Sequence, residues 1–121
     1  MTVPPRPALQ GLYVILDPSV RPERALYDVL TESARAGATI VQYRNKTASM
    51  KEAYQEAQVL RLAAAKAGVL FIVNDRCDLA LAVDADGVHL GQNDLPVRDA
   101  RHLLGPGKLI GLSTHNPGQV R

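Results

Sequence analysis

Apolar runs and helical stripes alternate along this chain. Gly11 to Asp17 (GLYVILD) is almost continuously apolar and closes on an acid. A strand buried on both faces reads this way, whereas a half-exposed one alternates. Pro22 suits the first turn of a helix. Leu26, Val29, Leu30 and Ser33/Ala34 recur at the spacing of a core-facing stripe, and Gly37 is a natural stop. Thr39 to Lys46 (TIVQYRNK) begins with three β-branched residues, which favour a pleated, packed surface, and ends in polar groups. Ser49 and Glu52 form an S-x-x-E capping box, predicting a helix from about Met50 to Ala67 with Gly68 behind it. Val69 to Val73 predicts a third strand, Asp78 to Val83 a short helix, and Val88 to Leu90 a fourth strand after the Asp86-Gly87 turn. Pro96 opens a helix ending near Leu104, Leu109 to Leu112 predicts a fifth strand, and Asn116-Pro117 fits the start of a fifth helix.

Strict alternation of strand and helix implies βαβ units and a parallel α/β sheet. Right-handed crossovers then put the C-terminal ends of all strands on one side. Asp17, the Gln42/Arg44/Lys46 set, Asn74 with Asp75, His89 with Gln92 and Asp94, and Ser113 to His115 all fall at those ends. In parallel α/β folds that side carries the chemistry. Two architectures satisfy the pattern. A five-stranded flavodoxin-like open sheet matches the length; a (β/α)8 barrel needs about 200 residues or more, so the chain would supply a little over half of one.

Composition narrows the class. With 121 residues, 46% hydrophobic and 21% charged, the chain is one globular domain and not a disordered segment. A formal net charge of +2 and the lack of like-charge runs give no reason to expect nucleic acid. No apolar run reaches the ~20 residues that span a bilayer. Met1 to Gln10 holds three prolines and no signal-length apolar block, and is expected to be a flexible tail preceding a domain over residues 11–121. The single cysteine, Cys77, excludes an intrachain disulfide framework and is compatible with a reducing, cytoplasmic compartment.

The strand ends carry the candidate chemistry. With a period of two, Gln42, Arg44 and Lys46 project to one side of their strand. They join an amide, a planar cationic fork and a point charge, a set suited to an anion. Asp75 and Asp94 are hard oxygen donors of the kind that hold Mg²⁺ together with waters and substrate phosphates. Between the acids and the cations a Mg²⁺-bound diphosphate would fit, and its departure as a leaving group would be favoured. The ordinary alternative for both aspartates is capping of the helices that follow. Asn74 can hold a turn or face a ligand. His89 lies in an apolar strand and suits a hydrogen-bonded core position; His115, Ser113 and Thr114 are ambiguous between capping and phosphate contact. No GxGxxG, Walker A or nucleophile motif is present.

The blocks VQYRNK, IVNDRCDLALAVDADGVHLGQNDLP and IGLSTHNP strongly resemble thiamine phosphate synthases from about Gly11 onward. The resemblance implies a (β/α)8 barrel, with about five strands and four helices of it present here. It also implies the joining of 4-amino-2-methyl-5-hydroxymethylpyrimidine diphosphate to a thiazole phosphate, giving thiamine phosphate and diphosphate through a pyrimidine carbocation. By the same resemblance, Gln42, Tyr43, Arg44, Asn45, Lys46, Asn74 and Ser113 contact the pyrimidine substrate. Arg44 and Lys46 assist departure of diphosphate, and Asp75 and Asp94 hold Mg²⁺. A thiazole tautomerase branch shares the barrel but not the acid at the position of Asp94, so the pair of acids favours the synthase. The last three βα units, which would carry the thiazole-phosphate site, are not in this sequence. A fragment, a homo-oligomer or a complementing half-barrel is therefore expected, inactive as an isolated monomer. A non-catalytic barrel portion that only binds diphosphates is the alternative from another class.

Overall fold

A computed structural model describes residues 12–20, 23–91 and 94–113. The expected tail, Pro22, Gln92, Asn93 and the segment from Thr114 through the expected fifth helix lie outside the described residues. Five strands alternate with four helices: β1 (Leu12–Leu16), α1 (Leu26–Arg35), β2 (Ala38–Tyr43), α2 (Met50–Ala67), β3 (Leu70–Asn74), α3 (Cys77–Ala82), β4 (Gly87–Leu90), α4 (Val97–Leu104) and β5 (Leu109–Leu112).

The strands pair in parallel and in sequential order, β1-β2-β3-β4-β5. That order decides between the two candidate architectures. A flavodoxin-like sheet changes direction at a switch point, with strand order 2-1-3-4-5 and helices on both faces. Here the order never reverses, and one hydrophobic cluster unites the helices with a single sheet face. Leu26 and Leu30 of α1, Ala53, Ala57, Leu60 and Ala64 of α2, Leu79 and Ala80 of α3, and Ala100 and Leu104 of α4 pack on Leu16, Val41, Tyr43, Phe71, Val73, Val88 and Leu90. This is the arrangement of consecutive βα units in a barrel wall.

The local signals act largely as expected. The Ser49 side chain accepts from Glu52 N, and the Glu52 carboxylate accepts from Ser49 N, completing the capping box of α2. Gly68 ends that helix at φ 73°, a left-handed conformation in which only glycine escapes a Cβ penalty. Helix α1 begins at Leu26 behind Ala25, with no side-chain cap, so Pro22 precedes its first turn. Asp84 accepts from Arg61 at 2.9 Å and from Lys108 at 2.5 Å, tying α2 and the start of β5 to the α3–β4 turn at the opposite end from the strand C-termini.

The second sheet face is concave and partly open. Ile40 and Ile72 are buried there, whereas Tyr13 and Ile15 on edge strand β1 are 44% and 53% exposed. Leu112 on the other edge strand is 56% exposed. Phe71, fully buried and stacked on Tyr43 with ring centroids 6.4 Å apart, is the largest apolar anchor of β3. Phe71→Ala is expected to lower stability by about 3–5 kcal/mol, whereas Leu112→Ala changes it by under ~0.5 kcal/mol. Denaturant titration of both variants measures the contrast.

Candidate functional site

Alternation along β2 sorts the TIVQYRNK segment between two sides. Gln42 turns to the concave face. It is 3% exposed, and its Nε2 donates to the Tyr13 hydroxyl at 2.7 Å. Asn74, at the end of β3, donates to Gln42 Oε1 at 2.9 Å; with its amide turned over, the nitrogen instead faces the two Asp75 carboxylate oxygens at 3.1 and 3.2 Å. Arg44 reaches the carboxylate at the end of β1, Nη1 to Asp17 Oδ2, at 2.6 Å. Lys46 forms an ion pair with Asp75. Residues from the ends of β1, β2 and β3 are thereby joined.

Tyr43 and Asn45 take the other side. The Tyr43 ring is buried beneath α2, its hydroxyl donates to Glu56 Oε1 at 2.5 Å, and Asn45 Nδ2 donates to the same oxygen at 3.1 Å. Asn45 Oδ1 in turn accepts from the backbone amides of Thr47 and Ala48 at 3.2 and 3.1 Å. The structure therefore gathers Gln42, Arg44, Lys46, Asn74, Asp75, Asp94 and Ser113 on one side. It uses the Tyr43 and Asn45 side chains to hold the β2–α2 loop against α2.

The two aspartates are not helix caps. The N-cap of α3 is Arg76 and that of α4 is Pro96, and neither makes a side-chain capping bond. Asp75 sits at φ 69°, a left-handed conformation for a residue with a Cβ, and its amide is fixed by a 2.8 Å bond to the carbonyl of His89. Such a backbone costs on the order of 1–3 kcal/mol and clusters at functional sites. Asp94 folds back so that Oδ2 accepts from Gly91 N at 2.6 Å. The two carboxyl groups lie near enough to influence each other's protonation. This proximity, together with burial, pushes Asp94 above the usual carboxylate range. Burial also acts to raise Asp75, but neighbouring Asp94, the contact with Lys46 and nearby Arg44 outweigh it and hold it below that range.

Two adjoining carboxyl groups need a shared proton or a cation between them. As a donor set they fit a hard divalent ion that completes its shell with waters and phosphate oxygens, which is the usual way Mg²⁺ is bound. Among the described residues no cluster of three or more acidic, histidine or cysteine side chains could hold a metal by itself.

His89 and Ser113 complete the wall. His89 Nε2 lies 2.6 Å from Ser113 Oγ, and burial pushes the imidazole below its ordinary range. Tyr13, Gln42, Asn74, His89 and Ser113 share a cavity of about 450 Å³ next to the charged cluster. Three of these placements were hidden in the sequence. Tyr13 stands inside an apolar run, Glu56 is one of several acids on α2, and His89 is an isolated histidine in a strand. Period-two counting from Asn74 and Gln42 across paired strands is the signal that would have located Tyr13 and His89. Cys77 is buried at the start of α3, where burial raises its thiol.

A wall of sequential βα units, with amide, cationic and carboxylate groups collected at the strand C-termini, defines the class as part of a (β/α) barrel. The thiamine monophosphate synthase family profile matches residues 12–121. A thiamine-phosphate synthase from Persephonella marina is 50% identical over 104 residues, covering 86% of this chain and 50% of that protein. One from Chlorobium luteolum is 52% identical over 103 residues, covering 85% and 47%. Among solved structures, a thiamine phosphate pyrophosphorylase from Pyrococcus furiosus superposes with a TM-score of 0.76 at 41% identity, covering 84% of this chain and 48% of that one. This chain belongs to the thiamine monophosphate synthase family. It spans about half the length of the relatives it matches.

The Asp17–Arg44 pair gives a pH prediction. Burial acts to raise the Asp17 carboxyl, but bonds from the Ser19 hydroxyl and amide and from Arg44 outweigh it, and the group lies below its ordinary range. Its stabilisation is therefore full above the unfolded value of about 3.9 and is lost as pH falls through the folded value. Asp17→Asn should cost about 1–3 kcal/mol near neutrality, and the difference from the parent should shrink toward zero in strong acid. Chemical denaturation of the two proteins across pH measures it.

Proposed function

We propose that this chain provides the pyrimidine-diphosphate half of a thiamine phosphate synthase site. The full reaction is the joining of 4-amino-2-methyl-5-hydroxymethylpyrimidine diphosphate to thiazole phosphate, with release of diphosphate. The observation that carries the reading is the meeting, at neighbouring strand ends, of two cations with the Asp75 and Asp94 carboxyl groups: Lys46 is paired with Asp75, and Arg44, held by Asp17, lies near enough to lower Asp75. A multiply charged diphosphate presents anionic oxygens to the cations. Asp75 and Asp94 would hold Mg²⁺, which supplies further neutralisation of the leaving group.

Each residue then has a defined task. Lys46 leaves Asp75 for a phosphate oxygen, and Arg44, tethered by Asp17, keeps its fork aimed at the same group. Gln42 and Asn74, already hydrogen-bonded to one another, face the heterocycle, as does Ser113. Cleavage of the carbon–oxygen bond leaves the electron pair on diphosphate, so the site must stabilise an anion and needs no strong base. Tyr43 and Asn45 support this through the β2–α2 loop rather than through their side chains. The setting is a cytoplasmic biosynthetic enzyme with small-molecule substrates, the thiazole-phosphate half-site coming from the rest of a barrel or from an assembly partner. None of the described helices is long and apolar enough to cross a membrane.

Calorimetry should find that the chain binds the pyrimidine diphosphate in the presence of Mg²⁺ and far more weakly in EDTA. Asp94→Ala should weaken the Mg²⁺-supported binding on the order of 100-fold. Binding that is indifferent to both Mg²⁺ and Asp94 would overturn the synthase reading and favour the tautomerase type.

A further inference from the structure

Three strand-end groups stand side by side in register on the concave face: Asn74 on β3, His89 on β4 and Gly111 on β5. The middle one is an imidazole half-buried in the wall of the cavity, with Nε2 2.6 Å from Ser113 Oγ. The ring lies over Gly111, where an added Cβ would come within 2.8 Å of Nδ1. Position 111 thus leaves the space that the ring occupies, and any side chain there would displace His89 from Ser113. Meanwhile the carbonyl of His89 holds the amide of Asp75, so the same residue stands between the charged cluster and the hydroxyl.

A serine hydroxyl is a free rotor that can donate or accept in several directions. Bonded to an imidazole nitrogen, it has one direction and one role. With Nε2 as the unprotonated ring nitrogen it accepts the Ser113 proton, which leaves the lone pairs of Oγ, on the cavity wall, free to act as acceptors. A 4-aminopyrimidine presents an amine donor that such an oxygen would select.

We propose that His89 is a positioning residue that fixes the Ser113 hydroxyl as a hydrogen-bond acceptor for the amino group of the pyrimidine, and that Gly111 makes room for it. The proposal rests on the pyrimidine-diphosphate reading above. It assigns His89 to recognition of the heterocycle and leaves diphosphate binding to the charged cluster.

The test compares two probes on the same protein: the pyrimidine diphosphate and inorganic diphosphate, each titrated with Mg²⁺ present. His89→Ala frees the rotor and should weaken the pyrimidine diphosphate about 10-fold while changing inorganic diphosphate less than about 2-fold, the size expected for one directed hydrogen bond. His89→Gln places an amide nitrogen or oxygen near the Nε2 position and should recover most of the loss. His89→Asn, whose amide ends near the Nδ1 position, should not. Circular dichroism and a thermal melt of each variant identify one that fails to fold, and the glutamine variant then carries the comparison. An alanine variant as tight as the parent, an asparagine rescue equal to the glutamine one, or an equal loss for both probes overturns the assignment of His89. Failure of the parent to bind the pyrimidine diphosphate more tightly than inorganic diphosphate overturns the parent reading itself, a separate result.

Discussion

Sequential parallel pairing is the constraint from which the site follows. Each strand lies beside its predecessor, so successive strand ends are neighbours, and groups separated by long stretches of chain meet at the same rim. Asp17, Arg44, Lys46, Asp75 and Asp94 come from four different βα units, yet Arg44 pairs with Asp17, Lys46 with Asp75, and Asp94 lies near enough to shift Asp75. The apolar cluster on the outer face fixes the strand heights; the polar groups have only to extend beyond the last hydrogen-bonded residue.

Opposite charges held this close satisfy one another. Lys46 rests on Asp75, and Arg44 on Asp17. The two pairs differ in kind. The Asp17 carboxylate is buried and held by three donors, which makes Arg44 a fixed element of the wall. The Lys46–Asp75 pair is more exposed and involves a flexible ammonium stem, so it can be opened by a competing anion at small cost. One cation is thus a template and the other an exchangeable partner.

Much of the fold was legible in the chain because its signals were local. The Ser49/Glu52 box, Gly68, and the apolar runs at β3 and β5 each act within a few residues, and those elements appear within one position of expectation, whereas α1 begins at Leu26, four residues beyond Pro22. The choice between barrel and open sheet was not legible from periodicity, since it concerns which strand lies next to which; the resemblance pointed to the barrel and the strand order agrees. At the site, alternation along β2 separated Gln42, Arg44 and Lys46 from Tyr43 and Asn45. The resemblance had grouped all five. Neither route reached the Tyr13–Gln42 and His89–Ser113 bonds, because each depends on strand register, a property of pairs of distant segments.

The left-handed backbone of Asp75 has a practical consequence for anyone altering this protein. Glycine at that position would relieve the torsional penalty but would give up the Lys46 ion pair and enlarge the entropy of the unfolded chain. A directed-evolution campaign scored only on melting temperature would weigh those terms alone and would be blind to what the carboxylate does beside Lys46. A library design therefore has to hold this residue fixed.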